Sequence, residues 1–173
     1  MITYRQGDLL DSHCNVICHQ VNCSGVMGAG IAKQIRIRYP QVYPTFMCTY
    51  HSRHNVLGNI DVVLSQDFDA PIEDGRHRRF IINMYAQQSY NSGRRRDNQT
   101  DYAAFAKCLQ ALKQELSDYI ERSKRDKDAI HSFTIGFPYG IGCGLAGGNW
   151  SKVSAIIQKE FGGTDWNVEI WQL

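Results

Sequence analysis

The stretch "NVICHQVNCSGVMGAGIAKQI", residues 15–35, holds the decision about the fold. It opens with a short apolar run, "NVICHQV", bounded by polar residues, the pattern of a buried strand. Glycines at 25, 28 and 30 come next, and the chain then reads as two helices broken near Tyr39–Pro40. The break falls there because the residue before a proline is pushed out of the helical region. Strand, glycine turn and helix in that order begin an α/β architecture.

Outward from this stretch the same alternation continues. "MITYRQ" at 1–6, "GNIDVVLSQ" at 58–66 and "RRFIINMYAQ" at 78–87 read as strands from their β-formers and their bounding Gly and Asp. From Thr100 to about Lys124, apolar residues at Phe105, Leu109, Leu112 and Leu116 recur at the spacing of one helix face. "HSFTIGF" at 131–137 is a further strand, "WSKVSAIIQKEF" at 150–161 a helix stopped by Gly162–Gly163, and "WNVEIWQL" at 166–173 the last strand. The expected class is α/β, a mixed sheet covered on both faces by helices, in one domain over 1–173.

Bulk properties exclude several functions. A net charge of +2 gives no general basic footprint for nucleic acid. The run "GRRRDNQTD" at 93–101 is the one dense cationic patch near a predicted strand end; it reads as a solvated loop, with contact to a phosphate-rich extension of a ligand as the alternative. No run of about 18 apolar residues exists to span a membrane. The N-terminal "MITYRQGDLL" lacks the apolar centre of a signal peptide, so the protein is expected in the cytoplasm. Cys14, Cys18, Cys23, Cys48, Cys108 and Cys143 then read as reduced thiols, mostly within apolar patterns. They lack the short pair spacing of a zinc site, and no metal or cofactor is expected.

Two glycine-rich turns come after strands and lead into helices: "NCSGVMGAGIAKQI" at 22–35 and "YGIGCGLAGGNW" at 139–150. Successive N–H groups in such a turn, with the positive end of a helix behind them, hold an anion without any basic side chain. Two in one small domain suggest a diphosphate gripped from two sides; tight packing is the other explanation for so much glycine. Gly142, Gly144 and Gly147 spell G-x-G-x-x-G, yet too little chain remains beyond them for a dinucleotide-binding unit. The triphosphatase P-loop is absent. Cys23 and Cys143 precede glycines, but Ala29 and Asn149 stand where a cysteine phosphatase needs its arginine.

"GDLL" after the first strand, "ICHQVNCSGVMGAGIAKQIRIRYP", "FPYGIGCGLAGG" and the closing "EIWQL" together resemble a macrodomain. The similar branch includes the terminal ADP-ribose protein glycohydrolase and yeast ADP-ribose 1''-phosphate phosphatase. The resemblance covers nearly the whole chain and implies a three-layer α/β/α sandwich with ADP-ribose, or a derivative of it, in a cleft at one end of the sheet. It implies that Asp8 accepts a hydrogen bond from the adenine amine, with Leu9 beside the ring. Gly28, Ala29, Gly30 and Ile31 match the first diphosphate loop; Gly140, Ile141, Gly142, Cys143, Gly144, Leu145 and Ala146 match the second. Asn22 matches the asparagine that bonds the distal ribose, and His19 falls on the first asparagine of the same stretch. His19 and Asn22 are therefore the catalytic candidates, His19 as the group that moves a proton. The alternative for His19 is a packed strand histidine. Tyr85, Gln87, Asn149 and Trp150 are further candidates for the cleft.

One departure bears on activity. In the glycohydrolase branch a lysine near the end of the central strand and an aspartate in the second loop carry the chemistry. Here "NMYAQQSYN" at 83–91 has no lysine, and Ala146 occupies the aspartate's position. The expectation is a hydrolase of ADP-ribose 1''-phosphate or a related ADP-ribosyl derivative. The alternative is a non-catalytic binding module or sensor. The protein is expected to be a metal-independent monomer whose partners include ADP-ribosylated protein or nucleic acid.

Overall fold

The computed structural model describes residues 1–66, 78–90, 99–124 and 132–173. Arg94, Arg95 and Arg96 of the cationic run, with His77 and His131, lie outside them.

Six strands form one sheet: β1 (Ile2–Gln6), β2 (Val16–Asn22), β3 (Ile60–Gln66), β4 (Arg78–Gln87), β5 (Thr134–Pro138) and β6 (Asn167–Gln172). Their spatial order is β1-β6-β5-β2-β4-β3, and only β3 runs antiparallel to its neighbour. The helices are α1 (Gly30–Arg38), α2 (Val42–His51), α3 (Tyr102–Ser123) and α4 (Trp150–Phe161), with a 3-10 turn at Leu9–Asp11. Among the described residues no helix is long and apolar enough to cross a membrane.

Side-chain alternation along the strands divides the core into two layers. Val16 and Cys18 of β2 and Phe80 and Ile82 of β4 pack beneath Phe105, Leu109 and Leu112 of α3 and Val153 and Ile157 of α4. Ile17 and Val21 of β2 and Ile81 and Tyr85 of β4 face the other way, onto Ile35, Val42 and Phe46. This is the expected mixed sheet between two helical layers.

Element ends obey local chemistry. Asp101 caps α3 by accepting from the Ala104 N–H at 2.8 Å, so the helix starts at Tyr102 rather than Thr100. β3 starts at Ile60 because Gly58, at φ +93°, still belongs to a turn. α1 ends at Tyr39, ahead of Pro40.

Parallel pairing then positions the site. β1, β2, β4, β5 and β6 all end at one edge of the sheet, and the loops leaving these strands gather there. Because β5 lies directly beside β2, the two glycine loops become neighbours although more than a hundred residues separate them. A crevice outside the carboxyl ends of parallel strands is where open α/β sheets bind ligands.

Candidate functional site

Two cavities open at that edge. The larger, about 560 Å³, lies between the loops after β2 and β5 and is lined by Asn22, Gly28, Ala29, Gly30, Ile31, Gly140, Ile141, Gly142, Gly144, Leu145 and Ala146, among others. The smaller, about 370 Å³, is lined by Gly7, Asp8, Leu9, Gln34, Trp171 and Gln172. Ile31, Pro138 and Tyr139 line both, so the two chambers adjoin at these residues. Asp8 and Leu9, predicted for one end of a long ligand, and the glycine loops, predicted for its middle, thus line adjoining chambers at the same edge of the sheet.

The walls hold unpaired backbone donors. Ala29, the N-cap of α1, offers no side-chain cap, and no acid stands in the first turn. The N–H groups of Gly28 to Ala32 find no acceptor among the described residues; the first helical bond is Lys33 N–H to Ala29 C=O. Across the cleft the N–H groups of Gly142, Gly144, Leu145 and Ala146 are likewise without an acceptor among the described residues. No described lining residue is Lys, Arg or His, and Asp8 is the sole acidic side chain among them. Oriented N–H groups and the positive end of α1 give the space between the loops the chemistry that favours an anion.

The glycines separate by cause. Gly140, Gly142 and Gly147 have φ of +70°, +72° and +70°, which disfavours other residues. A Cβ on Gly148 would strike the Gly142 carbonyl, and one on Gly142 would strike Gln20 Oε1. Packing inside the protein accounts for these. Among the described residues, only Gly28 and Gly144 have neither a positive φ nor any atom within 4 Å of an added Cβ. They lie one in each loop, and both line the cleft.

His19 is not where the distal-ribose reading puts it. Its residue is fully buried and is not among those lining either chamber. Nε2 lies 2.6 Å from Asn83 Oδ1, and Asn83 Nδ2 donates to Asp61 at 3.0 Å, which turns the Asn83 oxygen toward the imidazole and makes Nε2 the donor. Asp61 also accepts from Thr49 Oγ1 and the Tyr85 hydroxyl, both at 2.8 Å. Burial pulls the His19 pKa down to about 4, against the raising effect of the Asn83 hydrogen bond. The ring is a neutral core group. Tyr85 shares this core chain, while Gln87 does line the cleft.

Asn22 reaches the cleft with most of its amide committed. Oδ1 accepts the N–H groups of Ser24 (3.0 Å) and Val26 (3.1 Å), and Nδ2 donates to Val26 C=O at 2.6 Å. It shapes the first loop. Asp8 caps the 3-10 turn through the Leu10 N–H at 2.8 Å, and the buried Arg79 guanidinium holds that turn through the Leu10 and Ser12 carbonyls. Cys143 is outside the lining set; burial raises its thiol pKa, and that of Cys23, which disfavours a thiolate nucleophile. Asn149 caps α4, and Trp150 packs against Tyr139 with ring centres 4.7 Å apart.

Sequence reasoning missed Trp171, Tyr139, Gln20 and Thr100. Trp171 had a usable signal, an aromatic at the end of the last strand; the others depend on long-range pairing. Its indole N–H donates to Glu169 at 3.0 Å, and Glu169 also binds Arg5 and His13, which fixes the wall of the smaller chamber.

No protein-family model matches the chain. It is 27% identical over 169 residues to an ADP-ribose 1''-phosphate phosphatase of Scheffersomyces stipitis, covering 92% of this chain and 94% of that protein. It is 38% identical over 71 residues to a DNA ADP-ribosyl glycohydrolase of Mycobacterium tuberculosis, covering 41% of this chain and 20% of that one. The solved macrodomain of Mycobacterium tuberculosis DarG matches with a TM-score of 0.74 at 24% identity, over 99% of this chain and 97% of that. Similarity along nearly the whole chain to the phosphatases, and a fold shared with the solved macrodomains, lead to one assignment: this chain has the macrodomain fold.

Proposed function

We propose that this macrodomain binds ADP-ribose along its two-chambered cleft and hydrolyses ADP-ribose 1''-phosphate or a closely related ADP-ribosyl derivative. One observation carries the reading. Two facing loops present N–H groups with no acceptor among the described residues, and each contains a glycine, Gly28 or Gly144, that no described neighbour requires. Adenine would lie in the smaller chamber with its amine on Asp8, the diphosphate between the loops, and the distal ribose in the larger chamber beyond Asn22. The relatives that match along nearly their full length and are named phosphatases support the choice of a phosphate monoester.

Chemistry supports the same choice. Phosphoryl transfer passes through a loose transition state, in which positioning and electrostatic stabilisation do most of the catalysis. Oriented N–H donors supply that stabilisation, with water as nucleophile and without a metal. Cleavage of a glycosidic bond by the lysine and aspartate of the glycohydrolase branch has no counterpart here. The same reading makes the protein a cytoplasmic monomer, acting on a free ADP-ribose derivative or on an ADP-ribosyl group carried by protein or nucleic acid.

The second reading is binding without turnover. It is favoured by Ala146 and by the core position of His19, which removes the proton carrier. Incubation with ADP-ribose 1''-phosphate and assay of released phosphate decides between them. Turnover that persists with a chelator is the expected result. Tight ADP-ribose binding with no phosphate released selects the binding module, and no binding of ADP-ribose refutes both.

A further inference from the structure

Gln20 has no role assigned within its family-like motif and Thr100 lies outside those motifs, yet the two connect both loops. Gln20 leaves the end of β2 on the face opposite His19, lines the larger chamber, and donates from Nε2 to Thr100 Oγ1 at 3.1 Å. Thr100, almost fully buried, donates in turn to the Gly142 carbonyl at 2.6 Å. Its neighbour Gln99 donates its N–H to the Ala146 carbonyl at 2.7 Å. Both halves of the second loop are therefore pinned to consecutive residues, and these are tied to β2. Asn22, two residues beyond Gln20, organises the first loop.

Gln20 Oε1 is buried and has no donor among the described residues, against the general rule for buried polar atoms. An unmet acceptor works against stability, so the amide is not explained by what it adds to the fold. Its carboxamide fills the space that the missing Cβ of Gly142 leaves open. From this juxtaposition we infer that Gln20 and Thr100 are positioning residues that set the gap between the two anion-holding loops, and thereby favour a diphosphate-bridged ligand over a mononucleotide. The inference rests on the ADP-ribose reading of the cleft.

The test is calorimetric titration of ADP-ribose and of AMP into the wild type, Gln20→Met, Thr100→Val and Thr100→Ser, with melting temperatures measured alongside. Met keeps the length of Gln without its hydrogen bonds, and Ser keeps the hydroxyl of Thr. Gln20→Met and Thr100→Val are expected to weaken ADP-ribose roughly ten- to a hundredfold through loop misplacement, with AMP changed by less than about twofold. Thr100→Ser should restore ADP-ribose affinity. Wild-type ADP-ribose affinity in both variants overturns the inference, as does equal loss of both ligands or a Thr100→Ser protein as weak as Thr100→Val. Failure of the wild type itself to bind ADP-ribose refutes the underlying reading instead, and the two failures are told apart by that first titration.

Discussion

Lowering the pH should test whether His19 is a core group or a working one. Its pKa is pulled to about 4 in the folded protein, against about 6.5 for an exposed imidazole. Above pH 6.5 the ring is neutral in both states and pH has no effect through it. Between 6.5 and 4 the unfolded chain binds a proton that the folded one refuses, so stability falls as the pH falls. The two pKa values give a loss of about 2 kcal/mol at pH 5 and about 3 kcal/mol once both states are protonated. Against a total of roughly 5–15 kcal/mol for an ordinary domain, that is a large fraction. Urea unfolding monitored by circular dichroism at pH 7.5, 6 and 5 measures it, with His19→Gln as the reference. Gln retains an Nε2 donor for Asn83 and does not titrate. Carboxylates with depressed pKa, such as Glu160 and Glu169, lose their contribution equally in both proteins and cancel in the difference. The wild type should lose about 2 kcal/mol more than His19→Gln between pH 7.5 and pH 5. Equal losses, or an imidazole titrating near 6.5 by NMR, would refute the reasoning and return His19 to the list of acid–base candidates.

Gly144→Val should abolish ADP-ribose binding with little change in melting temperature, because its backbone is unstrained and its Cβ enters the cleft; Gly142→Val should lower the melting temperature itself, since φ is +72° and Gln20 is in the way. Asp8→Asn keeps the cap on Leu10 and loses the carboxylate, so ADP-ribose and AMP should both weaken by roughly tenfold or more in the same titration. With no described cation on the cleft wall, the ADP-ribose Kd should change by less than about threefold between 50 and 300 mM salt. A steeper dependence would mean that side-chain charge holds the diphosphate.

The elements themselves were legible because their signals are local. The break before Pro40, the apolar stripe of α3 and the glycine turns each read from a few neighbouring residues. The orientation of β2 was not legible. A parallel strand buried on both faces is apolar throughout, so nothing in "NVICHQV" says which way His19 points. The glycines misled in a related way. The sequence invites one cause for all of them, whereas Gly142 and Gly148 answer to Gln20, Thr100 and the loop's own backbone beneath them. Gln20 meets Thr100 across eighty residues, and only the pairing of β4 with the segment before α3 brings them together.

The junction of the two chambers at Ile31, Pro138 and Tyr139 has a consequence for how affinity is built. A ligand that passes through it behaves as two fragments on a tether, each chamber seeing its half at an effective concentration that the connecting atoms set. Two weak head groups, one for each chamber, therefore become a strong ligand when a linker of matching length joins them. They gain nothing when the linker is too short to span both chambers.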